Sequence, residues 1–331
     1  MARIVLGLAS SHGPQLEIPP TRWREQGERG RAQAEHRFRG ESYSFPELRE
    51  LRKDDHFERY CTEDAFAAHF ERCQAAIGHL AKTLTAAHPD VCIVLGDDQD
   101  ECFHDDLMPV FAIFTGDETE DFSASDSSRW RFGDPSLGNP PAQRTSHPAD
   151  PALAGHLIES LMTQGFDLAR TSKLPVSVRG DLVGHAFFYV YRRLMDNEVG
   201  PHVPILVNTY NPPNVPSARR CFDFGRALRV AVDQWDENKT VAFIASGGLS
   251  HTVIDEELDA TVIDALASSD IEKLAEYPDS WFRDGTSEIK NWIILAGTMA
   301  GTGLEMKVVD YVPCYRTEAG TGVAMGFAEW V

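Results

Sequence analysis

Residues 91–106 read VCIVLGDDQDECFHDD, an unbroken apolar run that meets a glycine and then a dense group of acids. The apolar run, 91–95, is typical of a strand buried on both faces, as in the centre of a parallel sheet. The acids begin where that strand ends, and open α/β sheets bind their ligands at the carboxyl ends of the strands. The stretch therefore predicts an α/β fold and places a functional edge of its sheet.

The sequence on either side alternates between strand and helix patterns. Strands are predicted at residues 3–8, 91–95, 108–114, 203–208, 240–246, 306–312 and 322–328. Helices are predicted at residues 63–87, 152–164, 217–235, 255–275 and 286–299, with a short strand or helix at 186–195. This alternation predicts one α/β domain over residues 1–331, with a central mixed, largely parallel sheet flanked by helices.

Two long segments depart from this alternation. Residues 18–60 are polar and rich in arginine, and they predict an excursion with some helix. Residues 117–151 are rich in Ser, Asp, Pro and Gly and show no periodicity. Long loops of this kind in a domain are usually functional or mobile, so we expect both segments to form a lid or a subunit contact.

The charge of the chain narrows the range of partners. Its 331 residues include 51 acidic and 31 basic side chains, for a formal net charge of −20. Nucleic acids and anionic membrane surfaces require clustered Lys and Arg, so neither is expected as a partner.

The sequence also indicates where the protein works. It opens without a signal-peptide pattern, and its apolar runs are shorter than the ~20 residues of a membrane span. None of its six cysteines forms a CxxC pair. We expect a cytoplasmic protein with reduced thiols.

Polar groups that could bind a metal follow several of the predicted strands. His12 follows the first strand, Asp98 and Gln99 follow the second, and Gly-Gly-Leu-Ser-His, 247–251, follows strand 240–246. The sequence has no GxGxxG after a strand, no Walker A motif, no GxSxG and no HExxH. The remaining histidine, carboxylate and amide groups are the ligand types of a mononuclear divalent metal, and two histidines with one carboxylate suit non-haem Fe(II) and O2 chemistry.

The chain resembles the class III extradiol ring-cleavage dioxygenases, the family of the protocatechuate 4,5-dioxygenase catalytic subunit, and most closely the 3-O-methylgallate dioxygenase branch. The resemblance lies in IVLGLASSHGPQL (4–16), VLGDDQDECFHDDLMPVFAIF (94–114), DLVGHAFF (181–188), VPILVNTYNPPNVPSARRCFDFGRAL (203–228), SGGLSHTVIDEELD (246–259) and TSEIKNWIILAGTMAG (286–301). These segments span nearly the whole chain in order. They imply a ring-cleaving enzyme that acts with O2 on a small gallate- or protocatechuate-like aromatic. Some relatives need a separate small subunit, whereas a chain of this length is expected to carry its own cover and to pair with itself as a homodimer.

The resemblance also implies an Fe(II) site made of two histidines and a glutamate. His12 matches the first histidine and Glu288 matches the glutamate, but Gln99 stands where the second histidine is expected. Gln99 is then a ligand through its amide oxygen, or Asp98 is a ligand instead. The third alternative is a more distant histidine, such as His56 or His104.

Two further histidines match catalytic positions of the family. His251, after Gly-Gly-Leu-Ser, matches the histidine expected to accept a proton from the substrate hydroxyl and to return it later. His185, in VGHAF, matches a second active-site histidine that would hydrogen-bond the oxygen reactant.

Other classes of function remain open from the sequence. The absence of the second iron histidine also fits a divalent-metal hydrolase or lyase on the same scaffold, in which the metal activates water. A third alternative is a non-catalytic subunit or binding protein that has lost its metal ligands. Oxygen consumption and metal content discriminate among these alternatives.

Overall fold

Strands and helices alternate along the chain in the computed structural model, which describes residues 1–121, 123, 142–174 and 182–331. The strands are β1 (Arg3–Ser10), β2 (His36–Phe38), β3 (Glu41–Tyr43), β4 (Val91–Asp97), β5 (Phe111–Phe114), β6 (Glu118–Asp121), β7 (Thr145–Pro148), β8 (Ala169–Thr171), β9 (His202–Val207), β10 (Thr240–Ser246), β11 (His251–Val253), β12 (Met306–Tyr315) and β13 (Thr321–Trp330). The helices are α1 (Trp23–Arg31), α2 (Phe45–Leu51), α3 (Glu63–Ala87), α4 (Pro151–Thr163), α5 (His185–Tyr189), α6 (Ala218–Asp233), α7 (Glu256–Ser268), α8 (Glu272–Ala275) and α9 (Ile289–Met299).

One nine-stranded sheet organises the described part of the chain. Its order is β11-β13-β1-β10-β4-β9-β5-β8, with β12 also paired to β13. The central strands β1, β10, β4 and β9 are parallel to one another, whereas β13 runs antiparallel to β1, β11 and β12. The mixed sheet that the sequence predicts, parallel through its centre and flanked by helices, is confirmed.

The core lies on both faces of this sheet. Every residue of β4 is buried. Ile93 and Leu95 enter a cluster with apolar residues of α4, α6 and α9, while Cys92 and Val94 enter a second cluster with α3. Because successive side chains of a strand point to opposite faces, a central strand covered on both sides must be apolar throughout. This explains the unbroken apolar run before the acids.

Helices α6 and α9 are in backbone contact where they cross. A Cβ on Gly225 would lie 1.9 Å from the carbonyl oxygen of Ile294, and one on Gly297 would lie 2.2 Å from that of Phe222. Only glycine allows so close an approach. The contact fixes α9 against the sheet, and the 3₁₀ turn that precedes α9 ends at Glu288.

Several predicted elements differ in detail from those observed. The segment 186–195 is helical, with α5 continuing into a π-helical turn at Val190–Leu194. The helix predicted at 255–275 is divided into α7 and α8 because Ser269 takes a left-handed conformation (φ 54) and ends α7. The strand predicted at 108–114 begins only at Phe111.

The two long segments contain more regular structure than the sequence indicates. The excursion 18–60 contains α1, the β2–β3 hairpin and α2. The predicted loop 117–151 contains the antiparallel pair β6–β7, and its residues 124–141 lie outside the described ranges. Within those ranges, no helix is both long and apolar enough to cross a membrane.

Candidate metal centre

The predicted site residues converge at the carboxyl edge of the parallel strands. His12 lies two residues after β1, Asp97 is the last residue of β4, and His251 begins β11 shortly after β10 ends. Glu288 approaches from the turn before α9. This is the edge at which α/β sheets bind their ligands.

Four buried side chains form a group that could hold a metal ion. Among the described residues, His12, Asp97, His185 and Glu288 each offer one ligand atom, and these atoms all lie within 4.8 Å of one another. Two imidazoles and two carboxylates are ligands that suit first-row divalent metals. The sequence places Asp97 at the end of a strand, but only the structure includes it in this group.

The tautomer of His12 follows from its hydrogen bonds. The Ser246 hydroxyl donates its proton to the Ala186 carbonyl at 2.8 Å. It can therefore only accept from His12 Nδ1, which lies 3.0 Å away. The proton of a neutral His12 is thus on Nδ1, and Nε2 keeps its lone pair. That atom is buried without a hydrogen-bond partner in the described residues and lies 3.5 Å from Glu288 Oε2.

The two carboxylates of the group face one another across Gln99. The Gln99 Nε2 donates to Asp97 Oδ2 at 3.0 Å and to Glu288 Oε1 at 2.8 Å. The Gly248 amide donates to Glu288 at 2.8 Å, and Asn291 Nδ2 donates to Asp97 at 3.3 Å. Burial and the charge of Glu101 raise the pKa of Asp97, and burial and the charge of Asp97 raise that of Glu288 well above its usual value. A bound divalent cation would remove this repulsion.

Gln99 was predicted as a ligand through its amide oxygen. Its two neighbours in the group, Asp97 and Glu288, are both acceptors, so the amide presents its NH2 group to them. A cation between the carboxylates would favour the opposite orientation, with the oxygen turned toward the metal. Ligation by Gln99 stays a prediction.

The Asp98 carboxylate forms hydrogen bonds with the backbone of the loop that follows β4. It accepts from the amides of Glu101 (2.9 Å), Cys102 (2.9 Å) and Phe103 (2.8 Å). Burial raises its pKa to about 6 despite these hydrogen bonds. The carboxylate holds the turn in shape and is not a member of the four-residue group.

The structure does not bring either distant histidine into the site. His56 is exposed and lies 3.5 Å from the Glu58 carboxylate. His104 is partly exposed and lies 2.9 Å from Asp100. Both rings belong to the protein surface, so the alternative of a ligand from these positions has no support in the geometry.

His185 is oriented by a buried acid that the sequence did not single out. Its backbone N–H and its Nδ1 both donate to Glu101 Oε2, at 3.0 Å and 2.7 Å. Its Nε2 lies 3.8 Å from Asp97 Oδ2. Burial alone would lower the pKa of His185, but the Glu101 and Asp97 carboxylates raise it to about 10. The Nε2 position therefore carries a proton or, in its place, a metal cation.

His251 has the opposite electrostatic character. Its Nδ1 donates to the Leu249 carbonyl at 2.8 Å, which leaves the Nε2 lone pair 3.4 Å from Glu288 Oε2. Burial, opposed only in part by the Leu249 hydrogen bond, lowers its pKa to about 4. A Cβ on Gly248 or on Gly285 would lie 2.0 Å or 2.3 Å from His251 atoms, so the ring needs glycine on both sides.

A pocket of about 220 Å³ adjoins these side chains. It is lined by His12, Gly13, Pro14, Gln99, His185, Tyr210, His251, Thr252, Gly285, Glu288 and Val323. Five of the six site residues predicted from the sequence therefore line it, and Asp98 does not. The volume is below the ~300–1,000 Å³ of pockets for drug-sized ligands and suits a single substituted ring.

Comparison with known proteins gives a family match over most of the chain. A family model described as the catalytic LigB subunit of aromatic ring-opening dioxygenase matches residues 64–325. Gallate dioxygenase of Pseudomonas putida is 33% identical over 174 residues, which are 48% of this chain and 48% of that protein. The 2,3-dihydroxyphenylpropionate/2,3-dihydroxicinnamic acid 1,2-dioxygenase 2 of Pseudomonas putida is 30% identical over 214 residues, 61% of this chain and 59% of that protein.

These curated relatives match over only part of their length, since the chain spans 48% of the first and 59% of the second. A solved structure, an uncharacterized protein JW3007 from Escherichia coli K12, has a TM-score of 0.47 and 13% identity while covering 98% of both chains. A likeness at that level carries no weight for fold or function.

Proposed function

The chain belongs to the family of the catalytic LigB subunit of aromatic ring-opening dioxygenases, and on that premise we propose that it cleaves the ring of a catecholic substrate with O2. One observation carries the proposal. A neutral histidine base and a buried group of imidazoles and carboxylates adjoin the same pocket, which has room for one aromatic ring. A metal that binds a diol beside a proton acceptor is the minimum that this chemistry requires.

Fe(II) is the metal that we propose for this centre. The residues fit a divalent cation, because the Nε2 of His12 is buried without a partner and two buried carboxylates lie side by side. His12, Glu288 and Asp97 would hold it, with Gln99 as a further candidate. When bound, Fe(II) supplies a template for the two substrate oxygens and a path for electrons between the ring and O2.

His251 is the proposed general base. Its lowered pKa keeps the ring neutral near neutral pH, and its Nε2 lone pair lies beside the pocket while Nδ1 is held by Leu249. A catechol hydroxyl in the pocket can transfer its proton to Nε2. The resulting imidazolium can return that proton to an oxygen of the opened ring, which is general acid–base catalysis by one residue.

His185 is the proposed hydrogen-bond donor on the other side of the pocket. The Glu101 carboxylate fixes its ring and favours its protonated form, as the raised pKa of about 10 indicates. The two histidines thus have opposite preferences, one for accepting a proton and one for keeping it. Such divergent pairs mark acid and base assignments in active sites.

The names of the relatives support a proposal for the substrate class. Their names refer to gallate and to 2,3-dihydroxyphenylpropionate, both of which are aromatic acids with vicinal hydroxyls. We propose a small acid of this class, gallate- or protocatechuate-like, as the substrate of this chain.

A homodimer is the assembly that we propose, and light scattering during size-exclusion chromatography tests it.

Oxygen uptake is the direct test of the proposed activity. Protein loaded anaerobically with Fe(II) is mixed with gallate, protocatechuate or 3-O-methylgallate in an oxygen electrode, and we expect one molecule of O2 to be consumed for each ring opened. A chelator should abolish uptake, and added Fe(II) should restore it. Product formation without O2 uptake would favour the hydrolase or lyase alternative. Freshly purified protein that binds no divalent metal would favour the non-catalytic alternative.

A further inference from the structure

An arginine that has no acidic partner among the described residues lies on the same sheet face as two residues that line the pocket. Arg316 directly follows β12, and its amide donates to the Thr321 carbonyl of β13 at 2.7 Å. Along β13, Thr321 is paired with Val253 of β11, and Val323 is paired with His251. Directly opposed residues share a sheet face, as do residues two apart in one strand. The register therefore places Arg316 on the face that carries His251 and Val323, which both line the pocket.

Within the described ranges, no carboxylate forms an ion pair with the guanidinium of Arg316. Its Nε is buried and has no hydrogen-bond partner among the described residues. Neighbouring arginines are paired: Arg39 binds Asp255 at 2.6 Å, and Arg52 binds Asp55 at 3.2 Å. Burying a cation without a partner costs free energy, and an unpartnered one is unexpected in a chain with a net charge of −20.

The interior position of Arg316 disfavours its charged form. Burial lowers its own pKa to about 10, and a bound anion would favour the charged guanidinium again. Its positive charge also lowers the pKa of His36 in β2.

We propose that Arg316 is the anion-binding residue of this site and holds the carboxylate of an aromatic acid whose ring occupies the pocket. The inference rests on the proposed function, which it deepens by assigning the group that selects acids over neutral catechols. A guanidinium matches a carboxylate with two parallel hydrogen bonds, and a partly buried one does so more strongly than a surface lysine. The substrate would then supply the negative charge that the protein leaves out.

Binding measurements test this without turnover. The probes are gallate and its methyl ester, titrated under argon by calorimetry into Fe(II)-loaded wild type, Arg316→Met and Arg316→Lys. A charge-assisted pair predicts that wild type binds the acid about tenfold or more tightly than the ester. Arg316→Met should lose the tenfold preference for the acid, while its affinity for the ester should change by less than about twofold. Arg316→Lys should retain part of the preference for the acid. No acid preference in wild type, or an unchanged one in Arg316→Met, would overturn the proposal.

Two controls separate a binding role from a structural one. Arg72→Met removes a guanidinium that is already paired with Asp310 on the surface, and acid affinity should not change. Arg316→Met relieves an unpartnered buried charge, so the metal-free variant should unfold at the same or a higher temperature than wild type. A lower unfolding temperature in Arg316→Met, together with unchanged acid affinity in the same variant, would instead assign Arg316 to the fold.

Oxygen uptake in parallel separates the two proposals. Acid binding that depends on Arg316 without O2 consumption would retain the anion-binding residue and reject the ring-cleaving function. O2 consumption together with acid binding that does not depend on Arg316 would retain the ring-cleaving function and reject the anion-binding residue.

Discussion

Replacing Gln99 with methionine tests the central feature of the metal site. Gln99 donates one hydrogen bond to Asp97 and one to Glu288, and both carboxylates are buried. Methionine has similar length and flexibility but no donor. The substitution therefore leaves two buried acids side by side without the amide that separates them.

The expected loss can be worked from the two contacts. Hydrogen bonds to charged groups contribute about 1.5–3 kcal/mol each. The raised pKa values of Asp97 and Glu288 show that burial disfavours the charged forms that accept these hydrogen bonds, so we take less than the full sum. We expect metal-free Gln99→Met to be less stable than wild type by about 2–4 kcal/mol. For a chain of this size that corresponds to roughly 3–6 °C in unfolding temperature.

The assay compares unfolding with and without metal. Protein treated with a chelator and protein reconstituted with Fe(II) under argon are unfolded by heat and by urea. A cation between the carboxylates replaces the lost donor, so the destabilisation should shrink in the loaded protein. Gln33→Met, at an exposed position, is the matched control and should change stability by less than about 0.5 kcal/mol.

Two results would refute this reasoning. The first is metal-free Gln99→Met within about 0.5 kcal/mol of wild type, which would mean that the amide does not bridge the acids. The second is an equal loss with and without metal, which would place the cation elsewhere.

The remaining predictions concern catalysis, titration and packing. After dialysis, Glu288→Gln should contain about one tenth of the wild-type metal or less, as measured by elemental analysis. Full metal occupancy in this variant would contradict the role of Glu288 as a ligand. His251→Ala should keep its metal but lose about 10²–10⁴-fold in O2 uptake, and uptake near the wild-type rate would remove it as the base. The pKa of buried Asp259 is raised from 3.8 to about 7 by burial, so the folded state binds its proton more tightly than the unfolded state. The contribution of Asp259 to stability is thus fully present below about pH 4 and is lost as the pH rises to about 7. In Asp259→Asn, the free energy of unfolding by urea should therefore depend less on pH across that window. An unchanged pH dependence would contradict this role of Asp259. Gly225→Ala should lower the free energy of unfolding by about 3 kcal/mol or more, because its Cβ would lie 1.9 Å from a backbone oxygen. Gly78→Ala, with nothing within 4 Å of its Cβ, should raise the free energy of unfolding by up to about 1 kcal/mol in the same urea titration.

Much of the fold can be predicted from the sequence because its signals are local. The apolar run at 91–95 predicts β4, and the 63–87 periodicity matches α3 at both ends. The break at Ser269 was missed because a left-handed residue other than glycine leaves no strong mark in the sequence.

The candidate site could be predicted only in outline. His12, His251 and Glu288 follow strands or begin a helix, so their positions at the active edge are visible in the sequence. Asp98 and Asp97 are neighbours in the same acidic run, yet one binds loop amides and the other joins the metal group. Nothing in their sequence context separates them, because the difference depends on where the strand ends.

The order of strands and helices, the sheet edge that carries the site and the residue types at that edge can be predicted from the sequence. Hydrophobic periodicity and strand ends are properties of neighbouring residues. The hydrogen-bond and charge partners of the site residues can be identified only from the folded chain. Gln99 contacts Glu288 from 189 residues away, and Glu101 binds His185 from 84 residues away. Arg316 shares a sheet face with His251 through the pairing of β11, β12 and β13. Such contacts depend on how distant segments cross, and hydrogen-bond geometry and charge act only once those segments are in place.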